Sequence, residues 1–339
     1  MSADVTTGRT QGFGLALLNR ALGSDTARLA LLVAAACAVL AILEPNFLTD
    51  FNAYVLLRGI AITLIVALAQ LLVLAIGQLS LSVGAIGGMT AVLTGGMMEV
   101  WGVATPAAIG AGLLVGAAAG LVNGLLITRT GINGFVITLA TASAFTGITI
   151  GLNNAEPFYN LPTAFVAFGQ ARLGPIPGIG VVTILVTLAL AFLFRRTVLG
   201  RQILAVGGNP RSAALSGIQV DPIIVVTHTL SGLLSAIAAI LLMARLGSAQ
   251  PSIGSDWLLP SFAIPIVGGV ALSGGAAPIA STVLAACLIA LIENGLVLTK
   301  ADPYWIQFLL GAIILGAVGL NHLRRGSSAG SSAAGVRGA

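Results

Sequence analysis

The 339-residue chain is 57% hydrophobic and 7% charged, with a mean hydropathy of +1.06, which places it among integral membrane proteins before any motif is read. Its 15 Lys and Arg against 10 Asp and Glu are scattered over many short loops and make no basic patch with interleaved aromatics, so nucleic acid is excluded as a partner. Both cysteines, Cys37 and Cys287, sit in apolar runs and read as small core hydrophobes rather than a disulfide or a metal pair.

Residues 1 to 22 are polar and glycine-rich and lack the compact basic, apolar and small-residue order of a cleaved signal peptide. Targeting is therefore expected to rest on the first span, with 1–27 a cytoplasmic N-terminal segment. Dividing the apolar stretches at charged and Pro/Gly-rich breaks gives about ten spans, at 28–43, 54–76, 79–98, 103–127, 134–152, 180–194, 222–243, 258–272, 277–298 and 305–320. The expected fold is an all-α polytopic bundle, with a transmembrane domain over 28–322 and a disordered Gly/Ser/Ala-rich cytoplasmic tail over 323–339. Placing both ends in the cytoplasm gives that side Arg9, Arg20, Arg28, Arg129, Arg195, Arg196, Arg201, Arg211, Arg324, Arg325 and Arg337, eleven of the fifteen basic residues. Only Arg58, Arg172, Arg245 and Lys300 fall outside, as the excess of basic residues in cytoplasmic loops requires.

An internal repeat is suggested by "GLVNGLLITRTGINGFVITL" from Gly120 and "ALIENGLVLTKADPYWIQFL" from Ala290. Upstream of each lies a glycine-interrupted apolar stretch, "IGQLSLSVGAIGG" from Ile76 and "VGGVALSGGAAPIAS" from Val267. Broken apolar segments at matching places in two halves point to a transport pathway, because unwound backbone at membrane depth is tolerated only where it lines a cavity or is buried in protein. The competing reading is that the 44 glycines let helices pack closely. Arg129 and Lys300 fall on opposite sides in this topology, which suggests halves of inverted orientation.

Catalytic chemistry is missing. The one lysine, Lys300, has no glycine before it, so no phosphate loop ending in Gly-Lys-Ser/Thr exists. His228 and His322 lack zinc-site spacing, and His228 reads as packed or backbone-bonded rather than as a proton carrier. The stretch "LSGGA" from Leu272 differs by one letter from a nucleotide-contacting ATPase signature and reads as structural coincidence. Glu293, beside Asn294, is the single acid deep in an apolar run, and an intramembrane carboxylate is a functional hypothesis by default.

In the polar island "GGNPRSAALSGI" (207–218), Asn209 suits a helix N-cap, Pro210 the first helical position, and Gly217 a C-terminal stop, so a short helix is expected from Arg211 to Ser216. The island lies in the longest basic loop, about 195–221.

From about residue 55 to 320 the chain resembles the membrane permeases of bacterial sugar ABC importers of the ribose, xylose, arabinose and galactoside type. The matching stretches are "LSLSVGAI" (79–86), "NGLLI" (123–127), "FVITLAT" (135–141), "LGRQILAVGGNPRSAALSGI" (199–218), "LSGLLSAIAAI" (230–240), the Gly-Gly steps at 268 and 274, and "NGLVL" (294–298). The resemblance implies a bacterial inner-membrane permease working as a homodimer or heterodimer. It also implies a cytoplasmic ATPase that uses ATP and Mg, no cofactor in this chain, and an extracytoplasmic sugar-binding protein that delivers the ligand. It assigns coupling to the ATPase to Gly208, Asn209, Pro210, Arg211, Ala214, Leu215 and Gly217. Three departures stand out. Where the family reads Gly-Gly-Ile-Asp-Leu-Ser, this chain has Gly77, Gln78, Leu79, Ser80, Leu81 and Ser82. Gly134 replaces a proline, and Ala276 and Ala277 replace a basic residue and a glycine.

A neutral sugar or polyol needs hydrogen-bond partners and no charge, which makes Gln70, Gln78, Ser80, Ser82, Asn123, Thr138, Thr141 and Asn294, with Glu293, the candidate pathway residues. The alternative reading is a stand-alone ion- or proton-coupled carrier, which would want relays of ionisable groups inside its spans. An intramembrane enzyme would need a catalytic constellation.

Overall fold

The computed structural model describes residues 25–174 and 176–300, together with 305, 308, 311, 312, 315 and 316. The expected N-terminal segment up to residue 24, the tail 323–339, and most of the tenth expected span lie outside the described residues. The six positions of that span that are described are helical.

Twelve helices and one small hairpin make up the described chain. They are α1 (Asp25–Leu43), α2 (Asp50–Ala75), α3 (Val83–Glu99), α4 (Thr105–Thr130), α5 (Gly134–Asn153), α6 (Thr163–Gln170), the strands β1 (Arg172–Leu173) and β2 (Ile176–Pro177), α7 (Gly178–Arg196), α8 (Val198–Gly208), α9 (Pro210–Leu215), α10 (Val220–Leu246), α11 (Leu258–Val267) and α12 (Ile279–Leu298). The two strands pair antiparallel, Arg172 opposite Pro177. Among the described residues seven helices, α1, α2, α4, α5, α7, α10 and α12, are long and apolar enough to cross a bilayer. At 17 and 10 residues, α3 and α11 are shorter than a straight crossing of about 20 residues.

Two helices fall short of their expected spans by four residues or more. The third expected span, 79–98, becomes helical only at Val83, because α2 is stopped by Gly77 and the next residues are held in an unwound stretch. The eighth, 258–272, stops at Val267, where Gly269 takes a left-handed φ of +88° and Val270 N–H bonds back to Pro265 O.

The core sits on α2 and α10, whose side chains include the fully buried Ile65, Leu68, Leu71, Leu72 and Met243. Around them the peripheral helices turn large apolar side chains outward, among them Ile42, Leu114, Leu185 and Phe192, the arrangement of a bundle whose solvent is hydrocarbon. Glycines of α4 at 112, 116, 120 and 124 share one face of that helix, and the last three lie against α10. A Cβ on Gly116 would come within 2.4 Å of Ala236 Cβ, one on Gly120 within 2.2 Å of His228 O, and one on Gly124 within 2.6 Å of Val225 Cα. These pairings run antiparallel. In a bilayer, where burial of apolar surface does not drive helices together, close backbone approach of this kind supplies the packing. The two readings of the glycines thus separate by location, since this set packs helices while others sit at the unwound stretches.

Candidate functional site

The first unwound stretch begins with a cap that the sequence builds locally. Gly77 adopts φ +73°, its N–H bonds Leu74 O at 2.8 Å, and Gln78 N–H bonds Val73 O at 3.1 Å, the paired bonds of a Schellman motif. From there to Ser82 the backbone leaves its helical partners, and buried peptide groups must find others. The Gln70 carboxamide of α2, in the orientation that satisfies both of its atoms, donates from Nε2 to Ser80 O at 3.0 Å and accepts Ser80 N–H at Oε1 at 3.2 Å. Leu81 N–H bonds Thr138 Oγ1 of α5 at 3.1 Å.

A side-chain chain continues from these bonds. The Ser80 and Ser82 hydroxyls share a hydrogen bond at 3.2 Å. Asn123 Nδ2 of α4 donates to Ser82 Oγ at 2.8 Å, and Thr141 Oγ1 donates to Asn123 Oδ1 at 2.6 Å. His228 Nε2 of α10 donates to Gln78 Oε1 at 2.8 Å. Four helices therefore hold one unwound stretch. Seven of the nine sequence candidates, Gln70, Gln78, Ser80, Ser82, Asn123, Thr138 and Thr141, belong to this assembly. All but Gln78 are buried in it. Their hydroxyls and amides are largely spent on the unwound backbone and on one another.

The other two candidates lie elsewhere. Asn294 of α12 forms a reciprocal pair with Asn52 of α2, Asn52 Nδ2 donating to Asn294 Oδ1 at 3.1 Å and Asn294 Nδ2 to Asn52 Oδ1 at 2.8 Å. Glu293 is half-buried beside it. This pair joins the start of α2 to the end of α12, the opposite end of the bundle from Gly77.

The second unwound stretch, Gly268 to Pro278, meets the first. Gly275 N–H bonds Ala75 O at 3.0 Å, and a Cβ on Gly274 would lie 2.5 Å from Gly77 N. The end of α8 closes the junction, since a Cβ on Gly207 would lie 1.8 Å from Ala75 O and 2.6 Å from Gly275 N. Gly274 and Gly275 have φ +84° each, so side chains are disfavoured there on conformational grounds as well. The "LSGGA" stretch is thus built into a three-way backbone contact.

Two residues beyond Gly207 stands α9. Asn209 caps it, its Oδ1 accepting Ser212 N–H at 3.0 Å, with Pro210 at the first helical position and Gly217 at φ +83° closing the turn after it. Only Ala213 of this helix is buried, whereas Arg211, Ala214 and Leu215 are exposed, Leu215 at 91%. The helix is self-capped and turns its one large apolar side chain into open space.

Below the unwound stretch at this α9 end lies a cavity of about 570 Å³, with Gln78, Leu79, Ile127, Asn133, Phe135 and Leu272 in its lining. At the far end of the bundle, Tyr54 is flanked by Arg172, whose guanidinium carbon lies 3.8 Å from the ring centroid, and by Arg58 at 5.2 Å. One residue the sequence reading weighed and two it gave no role have definite places here. His228 is bonded to a side chain rather than to backbone, and Gly207 and Tyr54 sit at contacts between segments far apart in sequence. Cys37 and Cys287 are free and half-buried.

Residues 52–318 match a family model described as the branched-chain amino acid transport system / permease component. Over 282 residues the chain is 37% identical to the ribose import permease protein of Bacillus subtilis, covering 83% of this chain and 87% of that one. It is 34% identical over 287 residues to the D-allose transport system permease protein of Escherichia coli, covering 84% and 88%. It is 32% identical over 289 residues to the fructose import permease protein of Rhizobium meliloti, covering 83% and 80%. No solved structure matches.

Proposed function

Since the chain belongs to this family of transport permeases, we propose that it is the membrane-spanning subunit of a bacterial ABC importer and forms the path for a neutral sugar or polyol. It is a transport subunit, not an enzyme. A separate ATPase, using ATP and Mg, drives it from the cytoplasm, an extracytoplasmic binding protein delivers the solute, and a second permease copy, identical or related, completes the path. The α9 end faces the cytoplasm, both termini lie there, and the described helices belong to a bundle of about ten spans built on an internal repeat. Arg129, at the end of α4, and Lys300, just after α12, lie at opposite ends of the bundle, as inverted halves would place them.

The observation that carries this reading is α9. A chain without a phosphate loop must receive force from outside, and α9 is a self-capped helix with an exposed apolar tip, joined through Gly207 to the end of α2 and to the second unwound stretch. Two relatives are named for ribose and allose and the family description for branched-chain amino acids. The neutral lining of the α9-end cavity favours the sugar, because a zwitterion would find no counter-charge there. A lone proton- or ion-coupled carrier is not favoured, since the residues gathered at the first unwound stretch carry no carboxylate.

The test replaces Ala214 and Leu215 by Asp. Uptake of tritiated sugar into proteoliposomes holding permease, ATPase and binding protein should fall to background while membrane insertion is retained, because two charges on the docking face leave the permease unable to engage its ATPase. Undiminished uptake by this variant refutes the assignment.

A further inference from the structure

We propose that the Gln78 carboxamide, braced by His228, is the group that hydrogen-bonds a small neutral polyhydroxylated solute in the cavity at the α9 end. This rests on the transport reading above and names the contact within it. The polar side chains of the first unwound stretch are Gln78, Ser80 and Ser82, and the two serines are buried and bonded within the protein. Gln78 alone of the three is half-exposed and lines the cavity. Its Oε1 is occupied by His228 Nε2 at 2.8 Å, and among the described residues its Nε2 makes no hydrogen bond. That leaves the amide donor of a cavity-lining residue without a protein partner.

The bracing is built in. His228 is 2% exposed and lies on the face of α10 that meets the glycines of α4, its own carbonyl where a Cβ of Gly120 would go. The helix backbone that carries the ring is thus packed directly on α4. On the other side a Cβ at position 134 would come 3.0 Å from Gln78 Oε1, so Gly134 leaves the carboxamide its room. Gln78, in the stretch that departs from the resembled pattern, and Gly134, a second departure, are therefore neighbours in space, and a larger residue at 134 would crowd the Gln78 amide.

The cavity volume of about 570 Å³ falls inside the range of about 300–1,000 Å³ usual for small-molecule sites. Leu79, Ile127, Phe135 and Leu272 supply apolar walls for the carbon face of a sugar, Asn133 adds a second carboxamide, and no charged residue joins the lining. An oriented amide donor among apolar walls selects a neutral hydroxyl over an ionised group.

The experiment uses the full chain in lipid nanodiscs, with Cys37 and Cys287 replaced by Ser and Leu79 replaced by Cys as a reporter inside the cavity. A methanethiosulfonate reagent should modify Cys at 79 and leave a Cys at the buried position 82 unmodified. With Gln78 in place, D-ribose, D-allose or D-fructose at about 100 mM should slow modification at position 79 about twofold or more, the occlusion expected when ligand concentration reaches its dissociation constant. L-leucine should not. Gln78→Leu and His228→Ala should abolish the protection, and His228→Gln, which restores a donor at similar reach, should return it. Lack of protection by every sugar, protection that survives Gln78→Leu, or protection by L-leucine overturns the proposal. Because no ATPase or binding protein is present, the outcome is independent of the uptake test on α9: protection here with uptake unaffected by the Asp replacements there refutes the coupling assignment alone.

Discussion

Replacing Gly207 by Ala adds a single methyl group to the one place where α8, the end of α2 and the loop before α12 share backbone contact. That methyl would begin 1.8 Å from Ala75 O and 2.6 Å from Gly275 N, against ordinary contact at 3.4–4 Å. The three segments must separate by more than an ångström, and the Gly275 N–H to Ala75 O bond is the first to go. Overpacking costs about 1–3 kcal/mol, and losing the one hydrogen bond between the two peptide groups, which can turn to other partners as the segments part, adds about 1–3 kcal/mol. The junction should therefore lose about 2–6 kcal/mol, enough to disconnect α9 from the end of α2 and from the second unwound stretch. At Gly208, the next residue, an added methyl would meet nothing within 4 Å, so Gly208→Ala should be neutral or stabilise α8 by up to about 1 kcal/mol. The assay compares the two variants by thermal melting in detergent and by ATP-driven uptake in proteoliposomes. Gly207→Ala should melt several degrees lower and lose most uptake, while Gly208→Ala, the control for packing, should melt as the parent does. Parental melting and uptake in Gly207→Ala would refute the tight junction and the mechanical role built on it.

Two other outcomes follow from the geometry. Gln70→Leu strips both partners from the Ser80 peptide groups at the centre of the bundle, each worth about 1–3 kcal/mol when stranded, so the variant should insert but melt well below the parent, whereas a surface substitution on α5 should not. For the reciprocal pair Asn52 and Asn294, a double-mutant cycle to Ala, read by thermal or denaturant unfolding, should give a coupling of about 0.6–1.7 kcal/mol, the scale of hydrogen bonds between membrane helices. Additive effects would mean that the pair is not formed in the membrane.

What the sequence made legible was local. Asn209, Pro210 and Gly217 lie within nine positions of one another, and a helix that carries its own start and stop needs no distant contact to be recognised. The glycine at 77 marks its own break for the same reason. Polar residues in apolar spans were selectable as a group because hydrocarbon forces them to find partners, yet nothing in a one-dimensional pattern separated Asn294 from the seven that gather at Ser80. Which face of α12 meets which neighbour is a property of packing. The Gly207 junction and the His228 to Gln78 bond were illegible for a related reason, since they join positions far apart in the chain that no periodicity connects. The two boundary differences, at Val83 and Val267, come from backbone groups recruited away from their helices by tertiary partners, an effect that hydropathy alone cannot register.

The contact between α4 and α10 also has a thermodynamic side. The α4 face of the contact is glycine, which has no rotamers to surrender, so that side joins at no cost in side-chain entropy. A pair of helices joined this way behaves as one beam. Shape change in the bundle must then be carried by the unwound stretches and by the elements hinged upon them, while α4 and α10 hold the frame against which those parts move.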